Sequence, residues 1–101
     1  MKNNLKKIGI FAVLLFCFQL LFAQETTITG KVTDSNQQPL PGVTVIVRGT
    51  TQGTVTGNDG SYSIDVPSGD ATLVFSFIGM QTIEEPLAGR TTVNVSLQQQ
   101  T

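Results

Sequence analysis

Beyond residue 25, apolar and polar residues alternate with a period of two through most of the chain. That period marks strands with one buried and one exposed face. In Thr26–Asp34, Ile28 and Val32 share a face, with Gly30 between them. In Val43–Arg48, Val43, Val45 and Val47 oppose Thr44, Ile46 and Arg48. Tyr62, Ile64 and Val66 alternate with Ser61, Ser63 and Asp65. Leu73, Phe75 and Phe77 alternate with Val74, Ser76 and Ile78, a segment apolar on nearly both faces that predicts a central strand. Val93, Val95 and Leu97 alternate with Thr92, Asn94 and Ser96, and shorter strands are predicted at Thr54–Thr56 and Gln81–Leu87. The predicted core includes Val45, Val47, Ile64, Phe75, Val93 and Val95.

The gaps between these runs carry turn chemistry. Pro39 and Pro41 fix φ ahead of Gly42. Gly57-Asn58-Asp59-Gly60 supplies residues that tolerate positive φ and predicts a tight hairpin. Pro67-Ser68-Gly69-Asp70 and Ala88-Gly89-Arg90 predict two more turns, and the polar tail Gln98–Thr101 is expected to fray. No stretch in this region shows apolar residues at spacings of three and four. About seven short strands at near-even spacing predict an all-β, Greek-key β-sandwich.

The first residues follow a different pattern. Lys2, Lys6 and Lys7 precede an apolar run of 15 residues, Ile8 to Phe22, broken only by Gly9 and Gln19, and Ala23 follows. This is the order of a secretory signal, and the run is short for a membrane span of about 20 residues. The expected division is therefore a signal peptide over 1–23 and one exported domain over 24–101. Leu21 occupies a position before the cut where a small residue is usual. Cys17, the only cysteine, lies within the apolar run behind Leu15 and Phe16, which disfavours lipidation. The domain that remains has no cysteine for a disulfide.

Charge and chemistry narrow the function. After residue 23 the basic side chains are Lys31, Arg48 and Arg90, against Glu25, Asp34, Asp59, Asp65, Asp70, Glu84 and Glu85. A net acidic domain without clustered Lys and Arg is a poor partner for nucleic acid or anionic lipid. The chain has no histidine. Asp34-Ser35-Asn36 and Asn58-Asp59 offer oxygens to calcium, but neither supplies the 6–8 that Ca²⁺ takes, and both read as Asx turns. Glu84-Glu85 has the composition of a glycosidase acid pair. Adjacent residues of a strand point to opposite faces, so a solvated edge is expected instead. Phe75, Phe77 and Tyr62 are candidates for stacking on sugar rings; core packing is expected for the two Phe, and the Tyr62 hydroxyl requires a polar exit. No catalytic, cofactor-binding or metal-ligating residue is assigned, and no cofactor is expected.

Five blocks in order carry a family resemblance: Ile28-Thr29-Gly30-Lys31-Val32-Thr33-Asp34, Pro39-Leu40-Pro41-Gly42-Val43-Thr44-Val45, Gly49-Thr50-Thr51-Gln52-Gly53-Thr54-Val55-Thr56, Gly60-Ser61-Tyr62-Ser63-Ile64, and Leu73-Val74-Phe75-Ser76-Phe77-Ile78-Gly79-Met80. Together they resemble the carboxypeptidase-regulatory-like domain, and Val74 to Gly79 is most similar to the SusC/RagA group of TonB-linked outer-membrane receptors. Gly57, Gln38 and Met80 depart from that pattern at turn and packing positions. The resemblance implies a prealbumin-like (transthyretin-like) sandwich. It implies a non-catalytic module on the periplasmic face of the outer membrane, at the N-terminus of a receptor for glycan or peptide nutrients. The implied partner is a protein, either the receptor plug and barrel or the TonB-type energy-coupling machinery. Membrane association would come only through the larger receptor, of which this chain would be a fragment or truncated form. The second reading is a free-standing exported glycan- or peptide-binding module. An enzyme ranks last, since no histidine is available as a zinc ligand.

Overall fold

The computed structural model of the chain describes residues 25–100. The expected signal peptide over 1–23, with Cys17, lies outside the described residues. Seven strands form: β1 (Thr26–Thr33), β2 (Thr44–Val47), β3 (Gly53–Val55), β4 (Ser61–Val66), β5 (Thr72–Ser76), β6 (Ile83–Pro86) and β7 (Val95–Ser96). They build two sheets, a three-stranded one in the order β4-β1-β7 and a four-stranded one in the order β3-β2-β5-β6. All pairings are antiparallel except that of β1 with β7. Only β2–β3 and β5–β6 are hairpins; every other connection passes from one sheet to the other.

The period-two pattern places the core. Ile28 and Val32, Val45 and Val47, Tyr62, Ile64 and Val66, Leu73 and Phe75, and Val93, Val95 and Leu97 are all buried between the sheets. The six residues expected in the core are among them. Phe75 is fully buried and meets Tyr62 edge to face, with ring centroids 5.5 Å apart and planes at 74°. Such a pair adds about 0.5–1.5 kcal/mol beyond the area it buries.

Three expectations require correction. Phe77 is 37% exposed, because the chain leaves β5 at Ser76 and turns through Ile78 and Gly79. The Met80 amide donates to the Phe77 carbonyl at 3.1 Å, and Gly79 takes the φ of +79° that this turn requires. The Gly57–Gly60 turn forms, with Gly57 N donating to Ser61 O at 2.9 Å, but it joins strands of different sheets and is no hairpin. The C-terminal glutamines are paired rather than frayed. Gln81 N donates to Gln98 O at 2.8 Å and Gln100 N to Gly79 O at 2.9 Å. Backbone pairing does not depend on side-chain polarity, so composition alone misjudged this tail.

Candidate interaction surface

The acidic side chains singled out in the sequence are engaged locally. Asp34 Oδ1 accepts the amides of Asn36 at 2.8 Å and Gln38 at 2.9 Å, an Asx turn that lets Gln37 adopt a φ of 63°. Asp59 Oδ1 accepts the Ser61 hydroxyl at 2.6 Å and its amide at 3.1 Å. Those bonds favour the carboxylate and hold Asp59 below its ordinary pKa. Glu84 and Glu85 diverge as strand geometry demands. Glu84 pairs with Arg48 at 3.4 Å, and Glu85 pairs with Arg90 at 2.9 Å. Arg90 also donates to the carbonyls of Leu87 at 3.0 Å and Pro86 at 2.6 Å. Among the described residues no three His, Cys, Asp or Glu side chains converge on one point.

Tyr62 shows how the three-stranded sheet is locked. Its hydroxyl donates to the Val93 carbonyl at 2.6 Å. That carbonyl lies over Gly30, where an added Cβ would stand 1.7 Å from the Val93 oxygen. The Lys31 amide therefore bonds the Asn94 side-chain oxygen instead, at 2.9 Å. Burial penalises the phenolate and pushes the Tyr62 pKa up to about 12. The polar exit that the sequence required is thus a backbone carbonyl inside the fold, and Tyr62 is unavailable for stacking on a ligand.

What remains for function is the surface, and its two broad faces differ. The outer face of the three-stranded sheet carries Thr27, Thr29, Lys31, Ser63, Asp65, Asn94 and Ser96. Across that sheet Thr27 faces Asp65, and its hydroxyl donates to the Asp65 carboxylate at 2.6 Å. The outer face of the four-stranded sheet is mostly uncharged. One cross-strand row runs Val55, Thr44, Ser76, and the next runs Gly53, Ile46, Val74, Glu84. Val55 is 60% exposed at one edge, and Ile78 is 95% exposed beyond the end of β5. Two shallow depressions of about 400 Å³ lie at this face, one at Gly42, Thr44, Ser76, Phe77 and Ile78 and the other around Ile46, Gly53 and Val55. Exposed apolar area of this kind marks contact surfaces more often than polar strands do.

A seven-stranded, two-sheet sandwich with a locked core and one mostly uncharged outer face defines a class of small all-β module. The chain belongs to the CarboxypepD_reg-like domain family, whose model matches residues 28–101. It is 37% identical over 105 residues to TonB-dependent receptor P39 of Formosa agariphila, covering 96% of this chain and 10% of the relative. It is 42% identical over 80 residues to TonB-dependent receptor SusC of Bacteroides thetaiotaomicron, covering 79% of this chain and 8% of the relative. The chain thus spans about a tenth of the length of the curated relatives it matches. In fold it is similar to a chain of a type II cohesin–X-dockerin complex from Acetivibrio cellulolyticus, with a TM-score of 0.61 at 23% identity, covering 73% of this chain and 58% of that one.

Proposed function

We propose that this domain is a non-catalytic interaction module of an exported TonB-dependent nutrient receptor, held on the periplasmic face of the outer membrane. The observation that carries this reading is the match of nearly the whole chain to relatives that are themselves TonB-dependent receptors. The surface supports it. Asp34 and Asp59 serve turns, Asp65 a cross-strand bond and Glu84 and Glu85 ion pairs, whereas the outer face of the four-stranded sheet carries Val55, Ile46 and Val74 with little charge. A face of that kind suits protein contact better than chemistry. The signal peptide over 1–23 belongs to the same proposal, with the exported product beginning at or near Gln24. The partner is the receptor's own plug and barrel or the energy-coupling machinery.

The test is deletion of the segment equivalent to Gln24–Thr101 from a full-length receptor of this kind. Uptake of the cognate nutrient, or growth on it, should fall while the barrel still reaches the outer membrane. Normal uptake at normal receptor abundance overturns the reading and favours a free-standing glycan- or peptide-binding module.

A further inference from the structure

The four sheet edges are not equivalent. On β6 the residues whose backbone faces away from β5 are Glu84 and Pro86, one charged and one without an N–H. Both features close an edge to further strands. On β4 the outward Ser61 is engaged by Gly57 N and by Asp59, and the outward Asp65 carbonyl accepts Gln52 Nε2, so Ser63 alone, flanked by these two occupied positions, turns both its backbone groups outward. The β7 strand is two residues long, and Gln98 just beyond it already accepts from Gln81.

The β3 edge is different. Val47 N donates to Gln52 O, and Thr56 N to Val43 O, which fixes the parity of the β2–β3 ladder. Thr54 is therefore bonded to Val45, and the N–H and C=O groups of Gly53 and Val55 point away from the sheet. The stretch Thr51–Gly57 around them holds no charged residue and no proline. The charges on the adjoining sheet rows, Arg48 and Glu84, neutralise each other.

We propose that a second copy of this chain pairs antiparallel along the β3 edge, with the two-fold axis at Thr54, joining two four-stranded sheets into one. In that register Gly53 of one copy faces Val55 of the other, so each outward N–H meets an outward C=O. The side chains also fit. Ile46 Cγ1 already leans over Gly53, 3.1 Å from where a Cβ would stand. Val55 of the second copy, lying beside a glycine, comes to rest against Ile46, and an exposed valine leaves water against a partly covered isoleucine. A copy of the same chain brings the same uncharged edge and the same glycine–valine alternation, so no like charges meet at the contact. This inference does not depend on the receptor reading.

The test is sedimentation equilibrium of the exported product of the full chain, from about 1 μM to about 1 mM, with Val55→Pro and Val55→Lys beside it. Val55→Pro removes only an N–H that faces away from β2, so the β2–β3 ladder survives. The wild type should form a dimer as concentration rises. Val55→Pro should weaken association at least about tenfold, and Val55→Lys should weaken it more at low salt than at high salt. Glu84→Gln, at the opposite edge, should change nothing. A cooperative denaturation transition, read by circular dichroism, shows that each variant is folded. A wild type that stays monomeric at about 1 mM overturns the proposal. A folded Val55→Pro that dimerises like the wild type also overturns it, as does loss of the dimer in Ile78→Ser alone.

Discussion

The two sheets bury the same kind of core and present different exteriors. The three-stranded sheet shows water Thr27, Thr29, Lys31, Ser63 and Asp65; the four-stranded sheet exposes Val55 and, partly covered, Ile46 and Val74 beside Thr44, Ser76 and Glu84. Both alternate in and out, so strand geometry does not explain the difference. It comes from the outward positions alone, which core packing does not constrain. An apolar side chain left exposed at such a position, as Val55 is, is therefore a better pointer to contact than any residue of the core.

That comparison can be broken from beneath. Phe75 lies under the apolar face and is fully buried, so Phe75→Ala should cost about 3–5 kcal/mol in equilibrium denaturation. Small domains have stabilities of about 5–15 kcal/mol, so this variant should be close to unfolding. A cost below about 1 kcal/mol would mean the inner layer is not packed as described. Beneath the polar face the corresponding test is Gly30→Ala. Its methyl would collide with the Val93 carbonyl, and the cost should reach about 3 kcal/mol, with β7 displaced from β1. Amide exchange in Val93–Leu97 should accelerate before exchange in β2 and β5; uniform loss across both sheets would show that the two are not separable.

Tyr62 sharpens the comparison with a smaller effect. Tyr62→Phe leaves the Val93 carbonyl without its donor and should cost about 1–3 kcal/mol. The wild type should also show a pH signature. The folded state holds the phenolic proton more tightly than the unfolded chain does, with a pKa of about 12 against an ordinary value of 10.0. This contribution is fully present below about pH 10 and is lost as pH rises through about 12. Tyr62 is the only tyrosine and the chain has no tryptophan, so the phenolate absorbance reports it directly. Ionisation of the native protein near pH 10 would show that the hydroxyl is solvated. The smallest effect belongs to the apolar exterior itself. Ile78 is 95% exposed, so Ile78→Ser should change stability by no more than about 0.5 kcal/mol while reducing binding of a hydrophobic dye. A larger loss would show that Ile78 packs within the domain.

The alternation read from sequence recovered β1, β2, β4 and β5 and the inward residues of each, because a buried face leaves a periodic trace. It overran at Phe77. The apolar period continues there, but the backbone turns, and the signal was Gly79 two residues on. Partnership between strands was less legible. Gly57–Gly60 has the composition of a hairpin turn, yet β3 and β4 lie in different sheets, and only long-range packing decides that. Gly30 was readable in principle, since a glycine inside a strand pattern marks close backbone approach. What approaches it, a carbonyl 63 residues away in sequence, was not. The candidate chemistry was more transparent. Asp34, Asp59 and the Glu84–Glu85 pair occupy the turns and opposed strand faces that their local sequence specifies.

The parallel pairing of β1 with β7 also has a mechanical side. Val32 lies beside Val95 and Thr33 beside Ser96, so the first and last strands run in the same direction. Tension applied between the start of β1 and the end of β7 pulls these strands past each other lengthwise. The bonds from Val93 N to Thr29 O and from Leu97 N to Thr33 O are then strained together rather than opened one after another. Stretched in this way, the domain should resist with both bonds at once, whereas either hairpin of the other sheet, pulled at its open end, would peel apart one bond at a time.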